Sequence, residues 1–167
     1  QSGARQEMQD RLTRRVALSL APATSPQGTL FPLEIEMDEE TSPETASLRI
    51  FGSDSPGFLY ELTNATAING LSIIRMSVRS RGGFVTDTLR VVDDTTQRTP
   101  DRERLKRLRV AIVLIKHFTH LLSQAPNPVA SLRHFRELLE NLFRQPDWAE
   151  QLSPLNNSKV LGRVVRL

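Results

Sequence analysis

Leu48-Arg49-Ile50-Phe51-Gly52-Ser53-Asp54-Ser55-Pro56-Gly57-Phe58-Leu59 passes from a short β-prone segment into the start of an amphipathic helix. The strand is signalled by Leu48, Ile50 and Phe51. Ser55 before Pro56 puts a hydroxyl N-cap directly ahead of a proline at the first helical position, so a helix starts there. Gly57 has no Cβ, which leaves the first-turn N–H groups open to a ligand or a second chain. The partial positive charge at that helix end favours a carboxylate. A tight strand-to-helix corner would need the same Asp-x-Pro-Gly, so its neighbours have to decide the matter.

Towards the C-terminus, Phe58, Leu59, Leu62 and Ala65 recur at helical spacing, and Asn69-Gly70 supplies the stop. Residues 71–80 alternate, which predicts a strand with Ile74, Met76 and Val78 on one side and Ile73, Arg75, Ser77 and Arg79 on the other. Arg81-Gly82-Gly83 predicts a turn. Residues 84–92 alternate again, with Val85, Leu89 and Val91 sharing a face, and Asp93-Asp94 ends the strand. Thr99-Pro100 repeats the cap-plus-proline start and opens a second helix over 101–122. Strand, helix, strand, strand, helix is the order of an α+β, ferredoxin-like sandwich.

These residues resemble a known family. Asp54-Ser55-Pro56-Gly57-Phe58-Leu59, the return Asn69-Gly70-Leu71-Ser72-Ile73, and Thr86-Asp87 ahead of Val91-Val92-Asp93 are similar to an ACT domain, a small amino-acid-sensing module. The version most alike is that of bacterial uridylyltransferases acting on the nitrogen-signalling protein PII. Ser55 stands where that motif usually has Arg, and Thr66 where it has a large apolar residue. The resemblance covers residues 32–122 of the 167. It implies an effector site formed by Asp54, Ser55, Pro56, Gly57, Phe58 and Leu59 with Asn69, Gly70, Leu71 and Ile73, glutamine being the first candidate effector. It also implies a homodimer through the sheet.

An ACT sheet ordinarily closes with a fourth strand after its second helix, yet here more helix follows. Residues 31–37 alternate with period two, and Thr41-Ser42-Pro43 turns the chain back into residues 48–51. This hairpin places the early strand antiparallel to the 48–51 strand, at the edge the absent strand would occupy. Ahead of it, residues 6–20 predict a helix with Met8, Leu12, Val16 and Leu20 in register, followed by a linker over 23–28.

The second helix carries two apolar stripes, Leu105, Leu108, Ile112 and Ile115 on one face and Val110, Leu114, Phe118 and Leu121 on another, so it is buried on two sides. Its second partner is the C-terminal segment. Asn127-Pro128 starts a helix with Leu132, Phe135, Leu139 and Leu142 inward, Pro146 interrupts, Trp148 and Leu152 mark a short helix, and Asn157-Ser158 starts another. The expected division is a helix and linker over 1–28, an ACT-like domain over 29–124, and a helical extension over 125–167 leading to a further domain. Asn141-Leu142-Phe143, Pro146-Asp147 and residues 156–167 are similar to the helical lead-in of a glutamine synthetase adenylyltransferase. That resemblance implies a nucleotidyltransferase parent whose ATP and Mg belong to a catalytic domain outside this chain.

Composition narrows the remaining classes. The chain has no cysteine, which excludes disulfides, thiolate metal sites and a cysteine nucleophile, and a cytoplasmic setting is expected. Its longest apolar run, residues 110–115, is far short of the ~20 residues of a membrane span. A sequence pI near 9.9 accompanies a net charge of only +3, because Arg outnumbers Lys. With one Tyr and one Trp among the basic residues, no nucleic-acid partner is expected. Gly52-Ser53 is the first fragment of a nucleotidyltransferase turn, but no Asp-x-Asp pair follows, so no catalytic residue is assigned. His117 and His120 share a helix face without a third ligand, so no metal site is assigned.

Overall fold

The computed structural model describes residues 33–38, 44–53, 58–123 and 125–152, with Glu7 and Arg11 besides. Apart from Glu7 and Arg11, which are helical, the predicted N-terminal helix and linker lie outside the described residues, as do the turn at Thr41-Ser42-Pro43, the corner residues 54–57, the last predicted helix and the side chains of His117 and His120.

Four strands, β1 (Leu33–Asp38), β2 (Ala46–Ser53), β3 (Leu71–Arg81) and β4 (Phe84–Asp93), form one sheet in the order β1-β2-β4-β3. Every neighbouring pair is antiparallel. β2 and β3 therefore run parallel on either side of β4, and helix α1 (Phe58–Ile68) crosses between them, a split βαβ compatible with a ferredoxin-like arrangement. The early hairpin forms as expected: Ile35 pairs with Ile50 and Met37 with Leu48, so β1 takes the edge beside β2. At the other end of the sheet, Gly82 (φ 61°) and Gly83 (φ 78°) occupy left-handed conformations that let two residues join β3 to β4.

Alternation sends one face of the sheet to the helices. Ala46, Leu48 and Ile50 of β2, Val85, Leu89 and Val91 of β4, and Leu62 and Ala65 of α1 are buried there, with Leu33, Ile35 and Met37 of β1 packed at the margin. Helix α2 (Arg102–Ser123) adds Leu105, Leu108, Ile112 and Ile115, each of them about 1.5–3 kcal/mol of transfer free energy when fully buried. Asp101 accepts from the Arg104 N–H at 2.8 Å, so the cap of α2 is Asp101 and not the expected Thr99.

The second stripe of α2 meets α3 (Pro128–Arg144) and α4 (Trp148–Gln151), which share the core of the sandwich through Leu139, Phe143, Trp148 and Leu152. Asn127 caps α3 by accepting from the Ala130 N–H at 3.2 Å, with Pro128 at the first position as the sequence indicated. Phe118 rests on Phe135 at 5.6 Å, and Trp148 sits edge-on to Phe143 at 5.4 Å. The Trp148 indole N–H donates to Glu103 at 2.6 Å. A buried ion pair ties α3 to α1: Arg136 donates to both carboxylate oxygens of Glu61, at 2.6 and 3.3 Å, while its guanidinium lies 5.1 Å from the Tyr60 ring centroid. Burial works against the Arg136 charge, but the hydrogen bonds and charge of Glu61 outweigh it and hold its pKa above the ordinary value.

One expectation about β3 is corrected. Strict alternation put Ile74 with Met76 and Val78, but the register shifts between Ile73 and Arg75, and Ile74 is the extra residue of a β-bulge. Ile73 therefore packs with Met76 against the core, and Ile74 is exposed. Gly52-Ser53, where no catalytic residue was assigned, belongs to strand β2, paired to β4. Thr66, buried where an apolar residue was expected, satisfies its hydroxyl by donating to the Thr63 carbonyl at 2.8 Å.

Candidate functional site

The two halves of the expected effector site flank α1. Phe58 and Leu59 open the helix, and Asn69-Gly70 closes it, with Leu71 and Ile73 following in β3. An eleven-residue helix holds these ends about 16 Å apart, so the structure does not bring Phe58 and Leu59 together with Asn69, Gly70, Leu71 and Ile73. Asp54, Ser55, Pro56 and Gly57 fall outside the described residues.

The return end is already filled by its own hydrogen bonds. Gly70 has φ 65°, and its carbonyl accepts from the Asp94 N–H at 3.0 Å and from Arg104 at 3.4 Å. The buried Asn69 donates from Nδ2 to the Ala65 carbonyl at 2.8 Å. Asp93 pairs with Arg104 and accepts from the N–H groups of Thr95 (2.9 Å) and Thr96 (2.7 Å). Ser72 donates to Asp94 at 2.6 Å, while Leu71 and Ile73 pack in the core. Among the described residues, Asn69 Oδ1 is the acceptor at this end that is buried without a hydrogen-bond partner.

This clamp has a pH signature. The backbone N–H of Thr96 is the largest influence lowering the Asp93 pKa from its ordinary 3.8, with Thr95 and Arg104 adding to it against the opposing effect of burial. A depressed folded pKa stabilises the fold fully above the unfolded value and loses that contribution as pH falls through the folded value. Asp93→Asn is therefore expected to lower the melting temperature at neutral pH and to narrow the gap to wild type below pH 3.8. A gap independent of pH would show that the Asp93 charge plays no part.

The corner end is different. Phe58 is buried at the first described turn of α1, and Leu59 beside it is exposed. The Lys116 ammonium lies 4.4 Å from the Phe58 ring centroid, although Lys116 is only 7% exposed. The lysine thus lies over the aromatic ring of the first described residue of α1. Lys116 was missed in the sequence, where its position four residues after Ile112 on the sheet-facing stripe was the available signal. Asp87, 3% exposed between Val85 and Leu89 on the core face of β4, is a second buried ionisable side chain that alternation alone would have located.

The sheet's other face is uncovered by α1 and α2. Its hollow of about 780 Å³ is bounded by Glu34 and Glu36 on the β1 side and by Ser77 and Arg79 on the β3 side, with Arg49 and Phe51 between. Phe51 and Phe84 stack there at 5.6 Å with ring planes 9° apart, both partly exposed. Among the described residues, no group of three or more His, Asp or Glu side chains is placed to hold a metal ion, and no helix is long and apolar enough to cross a membrane. Comparison with protein-family models, curated proteins and solved structures found no match to this chain.

Proposed function

We propose that this chain is an ACT-type regulatory module that senses a free amino acid, glutamine first, within a cytoplasmic nitrogen-control nucleotidyltransferase. The observation that carries this reading is the corner at the start of α1, where the buried Lys116 ammonium accompanies the helix N-terminus. The effector's α-carboxylate is received by the first-turn N–H groups, with Lys116 adding positive potential and Asp54 answering the ammonium. The split βαβ order of β2, α1 and β3, with the Asp54-Ser55-Pro56-Gly57 motif between β2 and α1, supports the ACT assignment. The glutamine synthetase adenylyltransferase assignment rests on the similarity of residues 141–143, 146–147 and 156–167. ATP and Mg serve the catalytic domain of such a parent.

The separation of the two expected site segments favours a second reading, a dimerisation or interdomain scaffold that keeps the sandwich and binds no effector. Calorimetry decides between them. Millimolar glutamine is expected to give binding heat with the wild-type chain and none with Gly57→Val, whose side chain would crowd the first-turn N–H groups. Absence of heat from both proteins would favour the scaffold, and equal binding by both would move the ligand away from the corner.

A further inference from the structure

The uncovered sheet face combines an aromatic platform with a row of arginines. Phe51 of β2 and Phe84 of β4 are 37% and 42% exposed, and they stack 5.6 Å apart on the two central strands. Phe51 lines the hollow while Phe84 does not, so Phe84 braces the ring and Phe51 is the one that meets an occupant. Thr86 and Thr88 of β4 and Ser77 of β3 add hydroxyls to the same walls. At about 780 Å³ the hollow falls within the ~300–1,000 Å³ of small-ligand sites, room enough for a nucleobase.

Alternation points Arg75, Arg79 and Arg81 of β3 and Arg90 of β4 to this face, and all four are exposed. In register, Arg75 stands opposite Arg90, Arg79 opposite Thr86 and Arg81 opposite Phe84, so no carboxylate of β3 or β4 faces them across the ladder. Asp87 and Asp93 of β4 are buried on the core side instead. Like charges directly opposite one another on a sheet are unfavourable, and an anion bound between Arg75 and Arg90 relieves that. Arg49 is different, since it lies 3.5 Å from Glu36, and with Glu34 on the same wall the β1 side is not basic. The basic track is thus confined to β3 and β4.

We infer that this face binds a single-stranded nucleic acid, with its phosphates along the row from Arg75 to Arg81 and a base stacked on Phe51. The stretch from Arg75 to Arg81 is about 20 Å long, a track for roughly three nucleotides. Glu34, on the far wall, accepts from the amino group of a base and repels a phosphate, which keeps the backbone on the β3 side. A duplex is refused, because its bases are stacked inside and cannot reach Phe51. The count of Tyr and Trp did not reveal this platform, since it is built from two phenylalanines that only sheet pairing brings together. No residue of the α1 corner takes part, so the effector reading neither supports nor needs this site.

Fluorescence anisotropy of a short labelled RNA of mixed sequence, and of its DNA counterpart, reads binding by the whole 167-residue chain, and binding of either strand counts in support. Wild type is expected to bind with a slope of log affinity against log salt of about −2 to −3, from phosphate contacts by Arg75, Arg79, Arg81 and Arg90. Phe51→Ala should weaken binding at least about fivefold and leave the slope unchanged, while Phe51→Tyr retains binding. Arg75→Gln with Arg79→Gln should reduce the steepness of the slope by about 1.4. Circular dichroism of each variant checks that the sheet is intact, and retention in Phe51→Tyr separates stacking from loss of fold. Failure of the wild type to bind at low salt would overturn the inference, as would equal binding by Phe51→Ala, which would place the contact on another basic surface. A duplex of the same sequence held as tightly would reduce the face to a plain anion surface and overturn it. A free nucleotide matching the strand in affinity would make the hollow a small-ligand pocket and overturn it too. A wild type that self-associates through Phe51 and ignores both strands would assign the face to a second copy, with the same consequence.

Discussion

Arg136→Ala is expected to destabilise the folded chain by about 3–5 kcal/mol, measured as a fall in the urea midpoint at unchanged slope. The size follows from what the change leaves behind. Glu61 is 2% exposed, and Arg136 satisfies both of its carboxylate oxygens, so truncation strands a charge away from water. Removing both charges is a different experiment. Glu61→Leu combined with Arg136→Leu should recover most of the loss, because two apolar side chains of comparable bulk leave nothing uncompensated. A single-variant loss below about 1 kcal/mol, the range of an exposed pair, would contradict the buried geometry.

Deleting residues 129–167 should have the largest effect of all, yielding aggregated chains in place of a folded protein. Leu132, Leu139, Phe143 and Trp148 are all nearly buried, and each contributes about 1.5–3 kcal/mol of transfer free energy. Their sum is comparable with the whole stability of a small domain, about 5–15 kcal/mol. The stripe of α2 that includes Phe118 would also be left facing water, an apolar patch that invites association. Size-exclusion chromatography with light scattering reads the outcome, and a shortened chain that eluted as one folded species as stable as the full chain would show that α3 and α4 are dispensable.

The strands and the α3 start were legible because each rests on a local rule. Val85, Leu89 and Val91 alternate into the core, Gly82-Gly83 supplies the left-handed turn, and Asn127-Pro128 caps a helix with its own side chain. The bulge at Ile74 was not legible, because adjacent isoleucines fit either face until pairing with Val91 and Arg90 fixes the register. Glu61 and Arg136 are 75 residues apart, and nothing in the local pattern of either helix announces their pairing. The separation of the two expected site segments was not legible in the matching residues, since it follows from the helix joining them, which sets its ends about 16 Å apart. Lys116 was not legible either, since a lysine after a long apolar run reads as a surface residue, yet it is only 7% exposed with its ammonium over the Phe58 ring.

Amide chemical-shift mapping of the isotopically labelled chain during a glutamine titration tests the sensing site most directly. Saturable shifts are expected at residues 54–59 and at Lys116, while Asn69, Gly70, Leu71 and Ile73 stay in place because their groups are held by one another and by the core. Shifts concentrated at Asn69–Ile73 with the α1 corner unmoved, or no saturable shift anywhere in the chain, would contradict the assignment of an amino-acid effector to the start of α1.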